Sequence, residues 1–184
     1  MNNNITLRYG NEHVGVVGSY SNLNSNGILP NNGDKYTRNI FSLRGYINAD
    51  KLTMDMSMNY VRKDISRTEG MDMELLQHAV DVSFKEQKDY NDPRYDINNY
   101  YTFYASNPYW VIDNYKYIYQ DDRAYGKVEL GYKLLPGLKA MGRLGGDFTN
   151  YRITNQQPIV KFANGSYSQE GGKTEEIGRY EETK

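Results

Sequence analysis

The residue types able to do acid–base or metal chemistry are few in this chain and poorly spaced for it. His13 and His78 are its two histidines; they fall in different elements, and there is no cysteine to join them. A zinc site, which gathers N and S ligands around one point, is therefore not expected. His78 reads as a solvated surface residue on a loop helix. Asp89, Asn91, Asp92 and Asp96 make an oxygen-rich cluster. The cluster lacks the spacing of a calcium loop, because Pro93 holds the fifth position and no acidic twelfth ligand follows, so it reads as solvated loop. Gly142, Gly145 and Gly146 open no helix and imply no phosphate cradle. Their expected role is relief of crowding in a curved sheet. With no nucleophile–base or carboxylate pair to single out, no enzymatic activity, cofactor or metal is expected.

Two other groups of residues are suited to recognition. Tyr100 to Tyr104, then Asn107-Pro108-Tyr109-Trp110, then Tyr115, Tyr117 and Tyr119 form an aromatic run. Such rings stack on sugar faces, and tyrosine hydroxyls hydrogen-bond hydroxyl-rich ligands. Tyr104, Tyr109, Trp110 and Tyr115 are the candidate substrate- or partner-binding residues; the same rings could equally pack the loop onto itself. The second group is of mixed sign: Asp55, Lys127, Glu129, Arg143 and Asp147 share the polar side of predicted strands. They are candidates for the lining of an enclosed lumen, or for a generic hydrated wall.

The elements that must position these residues follow from a two-residue alternation of apolar and polar side chains. It predicts six strands, at about 4–9, 13–23, 36–47, 51–63, 123–134 and 138–151. Leu52, Met54, Met56, Met58 and Tyr60 alternate with Thr53, Asp55, Ser57 and Asn59 without a mismatch. Across the six runs the apolar side carries no charge. Tight breaks at 10–12, 48–50 and 135–137 alternate with long polar loops at 24–35, 66–121 and 155–184. Within the central loop, 71–84 reads as a short helix. Short turns at one end and long loops at the other are the pattern of a transmembrane β-barrel. A soluble antiparallel sheet with one buried face alternates in the same way.

Composition narrows the choice. Hydrophobic residues are 38% of the 184, low for an ordinary globular domain, and tyrosine supplies 19 residues against 5 Phe and 1 Trp. A ring with a wet hydroxyl suits interfaces better than dry cores. The net charge of −1 and the lack of a basic stripe argue against a nucleic-acid partner. No apolar run approaches the ~20 residues of a membrane helix.

Four short pieces stand out: Val14 to Leu23 running into Gly27-Ile28-Leu29-Pro30-Asn31, then Tyr36-Thr37-Arg38-Asn39, then Asn107-Pro108-Tyr109-Trp110, and finally Gly145-Gly146-Asp147-Phe148. Together and in this order they resemble the SusC/RagA family of TonB-dependent outer-membrane transporters of Bacteroidetes. The resemblance implies a fragment of a large barrel of about 22 strands in the bacterial outer membrane. It further implies import of oligosaccharides or peptides, a SusD-like surface lipoprotein as cap, and TonB acting through a plug domain that this sequence lacks. The fold class expected is thus all-β, an antiparallel up-and-down meander of about six strands, with residues 1–184 as one partial barrel. The alternative is a soluble, Tyr-rich β-sheet module for carbohydrate binding or adhesion.

Overall fold

The computed structural model describes residues 1–68, 71–76, 78, 80–97, 101–102, 105–161, 168–169 and 171–184. Seven long strands form one open sheet: β1 (Asn2–Gly10), β2 (Val14–Asn26), β3 (Lys35–Asn48), β4 (Leu52–Arg67), β5 (Lys116–Leu135), β6 (Leu138–Gln157) and β7 (Gly172–Thr183). They lie side by side in chain order, and each pairs antiparallel with the next. The up-and-down meander is therefore present, with one strand more than the alternation predicts.

Tight turns close one end of the sheet. Gly10, at φ 151°, leads into a turn where the Asn11 side chain accepts from the His13 and Val14 backbone N–H groups at 2.9 and 3.0 Å. A Cβ at position 10 would lie 2.4 Å from the Gly15 Cα, so glycine is required there on both counts. Gly137, at φ 86°, serves the β5–β6 turn, beside a bulge between Lys133 and Leu135.

Register sorts the side chains by face. Met54 pairs with Ile47 and Leu130, Met56 with Gly45 and Val128, and Met58 with Leu43 and Gly126, so the alternating residues of three strands fall on one side. That apolar face lies open. Leu7 is 74% exposed, Met58 59% and Leu144 70%. Among the described residues the buried hydrophobic side chains are Met71, Val111, Ile112 and Val160, none of which belongs to the seven-stranded sheet. The core sits in the loops.

That small core joins two loops. Helices α1 (Met71–Leu76) and α2 (Pro108–Asn114) bring Met71, Val111 and Ile112 together, with Leu29, Trp110 and Tyr115 packed around them. Leu29 comes from the β2–β3 loop, where Asp34 accepts from the Ile28 and Leu29 N–H groups at 3.0 and 2.9 Å. Asn31, at φ 55°, donates its side-chain amide to Asp113 at 3.1 Å, and the Tyr90 hydroxyl donates to the same carboxylate at 3.0 Å. A Cβ at Gly33 would come within 2.8 Å of Ile112, so the loops meet closely here.

Several expectations need correction. The helix expected over 71–84 spans Met71–Leu76, and turns occupy 80–81 and 84–85. Strand β4 runs to Arg67 rather than 63, β5 begins at Lys116 rather than 123, and β6 ends at Gln157 rather than 151. The segment 155–184, read as loop, holds all of β7. One cause explains the strand errors. Toward the long-loop end the side that is apolar near the turns carries Arg62, Asp64, Gln120 and Asp122, while Tyr36, Ile65 and Tyr119 lie on the other side, so the alternation loses its phase while backbone pairing continues.

Candidate functional site

The boundary between apolar and polar zones runs along single rows of the sheet. Across β1 to β7 one row reads Ile5, Tyr20, Phe41, Tyr60, Ala124, Phe148 and Glu181. The next row toward the long loops, on the same face, reads Asn3, Asn22, Asn39, Arg62, Asp122, Asn150 and Arg179. On β2 to β6, every large side chain between the first row and the tight turns is apolar or aromatic. Tyrosine hydroxyls reach across the boundary. Tyr20 donates to Asn39 at 2.8 Å and Tyr60 to Asp122 at 2.6 Å, while Tyr20 and Phe41 rings lie 4.7 Å apart.

The opposite face gathers the charged candidates. Asp55 faces Tyr46 and Glu129; Glu129 faces Arg143; Lys127 faces Ser57 and Gly145; and Asp147 faces Tyr125. Arg143 donates through Nε and Nη2 to Glu129 Oε2 at 2.8 and 2.6 Å. Arg123 holds Asp147 by a two-pronged contact, Nε to Oδ1 at 2.9 Å and Nη2 to Oδ2. The structure thus places all five of these residues on one face. A shallow depression there is lined by Asn59, Tyr125, Lys127, Asp147 and Glu182.

The aromatic candidates are arranged differently. Trp110 and Tyr115 meet edge to face at 5.9 Å and pack on the loop core. Tyr109 is half-buried at the start of α2, and its backbone N–H donates to the Asn107 side chain at 3.0 Å. Tyr104 lies outside the described residues. Asn107 is the hub of this region, fully buried, capping α2 and donating to the Gln87 and Tyr95 carbonyls at 2.9 Å each. His78 is not on a helix and is half-buried. Its ring stacks on Phe84 at 4.0 Å and shares a 2.6 Å hydrogen bond with Gln87, because a loop this long must bury some of its own side chains.

Within the oxygen-rich cluster, Asp92 is committed to Arg94. The guanidinium and the Arg94 backbone N–H hydrogen-bond the carboxylate and pull its pKa down to about 2. Asp89 accepts from the Asn91 backbone at 3.2 Å. Hydrogen bonds to Asp113 and Glu86 push the Tyr90 and Tyr95 phenols upward. Among the described residues no three His, Cys, Asp or Glu side chains gather at one point.

Nearer the long loops on the polar face, strand pairing assembles a row that no sequence motif marks: Arg38, Lys63, Asp121 and Tyr151. Tyr36, Ile65 and Tyr119 form the row beyond it. The two-residue spacing of Tyr115, Tyr117 and Tyr119 was the available signal that a strand begins near 116. Lys63 Nζ lies 2.5 Å from Asp121 Oδ2, and Asp121 is only 4% exposed.

No model of a known protein family matches the chain, and no curated protein matches it either.

Proposed function

We propose that this chain forms part of the wall of an outer-membrane β-barrel transporter of the SusC/RagA, TonB-dependent type. The carrying observation is the uncovered, uncharged face that ends at the row Tyr20, Phe41 and Tyr60, beyond which Asn39, Arg62 and Asp122 begin. Burying a large apolar side chain is worth about 1.5–3 kcal/mol, so a face of this extent calls for a non-aqueous neighbour. Lipid meets that need and also accounts for the aromatic boundary row. From Ala124 to Leu134, at ~3.3 Å per residue and tilted by ~40°, the apolar zone spans about 25 Å, the height of a barrel's lipid-facing band.

In this reading the polar face, with Asp55, Lys127, Glu129, Arg143 and Asp147, lines the interior. The packed loops stand outside the cell, where a SusD-like lipoprotein would cap them. Oligosaccharides or peptides are the proposed cargo, and TonB supplies force through a plug domain. The chain contributes wall and loops; the differential affinity that moves a ligand arises elsewhere in the transporter.

Membrane fractionation tests the proposal. The expected result is recovery with the membranes and extraction only by detergent. A compact monomer in aqueous buffer would overturn it and favour the soluble carbohydrate-binding or adhesion module.

A further inference from the structure

The row Arg38, Lys63, Asp121 on the polar face has an unbalanced charge. Arg38 and Lys63 are directly opposite each other on β3 and β4, an arrangement that sheets avoid because like charges repel at this separation. The one carboxylate in the row, Asp121, is on the far side of Lys63 and takes its ammonium. Arg38 is left half-buried, and its Nε is shut away from water with no acceptor among the described residues. Asp121 Oδ1 is likewise buried without a donor among them. A half-buried guanidinium with no counter-ion among the described residues attracts an anion.

We propose that Arg38, with Lys63 beside it, binds the carboxylate of an acidic saccharide, a sugar chain bearing uronate groups. A guanidinium fork matches a carboxylate in geometry and charge, and Lys63 adds a second cation on the adjacent strand. The neighbouring rings suit the rest of a sugar. Tyr119 and Tyr151 stack 6.3 Å apart at an interplanar angle of 18°, both half-buried, and Tyr36 lies two residues from Arg38 on the same face. A peptide would be held differently. Extended peptides bind sheets through main-chain hydrogen bonds at an edge, and the backbones of β3 to β6 have spent theirs on one another. The assignment rests on the transport reading only in taking the polar face as the side that meets ligand.

Equilibrium binding to the purified protein in detergent micelles provides the test, with trigalacturonate, neutral galactotriose and an acidic tripeptide as probes. Trigalacturonate should bind more tightly than galactotriose and lose affinity as salt rises. Arg38→Gln should weaken trigalacturonate by about 10- to 100-fold, the worth of a charge-assisted pair, and leave galactotriose unchanged. Arg38→Lys keeps the charge without the fork and should fall between, which also preserves the test if the glutamine variant does not fold. Equal binding of the two sugars, or an Arg38→Gln or Arg38→Lys protein as tight as the parent, would overturn the site. Equal or tighter binding of the tripeptide would overturn the saccharide assignment. Membrane recovery of the same preparations is scored separately, so loss of the site with insertion intact leaves the transport reading standing.

Discussion

The Tyr60 hydroxyl donates a 2.6 Å hydrogen bond to Asp122 across β4 and β5, bridging the last apolar row and the first polar one. The ring shares its row with Phe41 and Ala124, and the carboxylate stands beside Arg62. Tyr60→Phe keeps the ring and removes the bond. A loss of about 1–2 kcal/mol is expected in urea unfolding from lipid vesicles, with Tyr60→Ala costing more because the ring goes as well.

A charge on the open face separates lipid contact from water contact. Leu144→Arg should destabilise the protein by about 2–4 kcal/mol when folding into vesicles is measured, since position 144 lies well inside the apolar zone. A face that met water would respond by no more than about 0.5 kcal/mol.

Glycines on this sheet differ in what surrounds them. A Cβ at Gly126 would stand 2.4 Å from the Ser57 carbonyl oxygen and 3.1 Å from the Met58 Cα, so Gly126→Ala must push β4 and β5 apart. A cost of about 1–3 kcal/mol is expected. Gly142 meets nothing within 4 Å, and Gly142→Ala should be neutral within about 0.5 kcal/mol by the same unfolding measurement.

Asn107→Ala tests the loop core without touching the sheet. It removes the α2 cap and leaves the Gln87 and Tyr95 carbonyls without their donor, a combined cost of about 2 kcal/mol. Limited proteolysis should find faster cleavage within 80–115, while amide exchange in β4 and β5 stays slow.

The Asp92–Arg94 turn carries a pH signature. The folded carboxylate has its pKa lowered to about 2, below its ordinary value near 3.8, so the stabilisation is present above the ordinary value and fades as pH falls through the folded one. Titration followed by NMR of the Asp92 side chain should show a midpoint near 2, and Arg94→Gln should return it toward 3.8.

Where a strand has one dry side and one wet side, its sequence announces it. Leu52 to Tyr60 alternates without error, and the four-strand block from β3 to β6 pairs in the register that this alternation demands. Where both sides are wet, nothing marks the strand. Glu175, Glu176, Arg179 and Glu181 in β7 read as polar tail, yet every residue of that strand pairs with β6. The loop aromatics posed the reverse problem. Tyr and Trp have the same composition signal whether they await a ligand or fill a small core, and Trp110 and Tyr115 do the latter in this structure. The Arg38 row was hidden because it exists only through pairing: residues 38, 63 and 121 are remote in sequence and meet at one level of the sheet.

Seven is an odd number, and for a meander this fixes a direction. The first and last strands, β1 and β7, both run from the long-loop end to the tight-turn end. Copies of this sheet joined head to tail in a ring would therefore carry a parallel seam at every joint. Only a complement with an odd number of further strands lets such a cylinder close with neighbours opposed throughout.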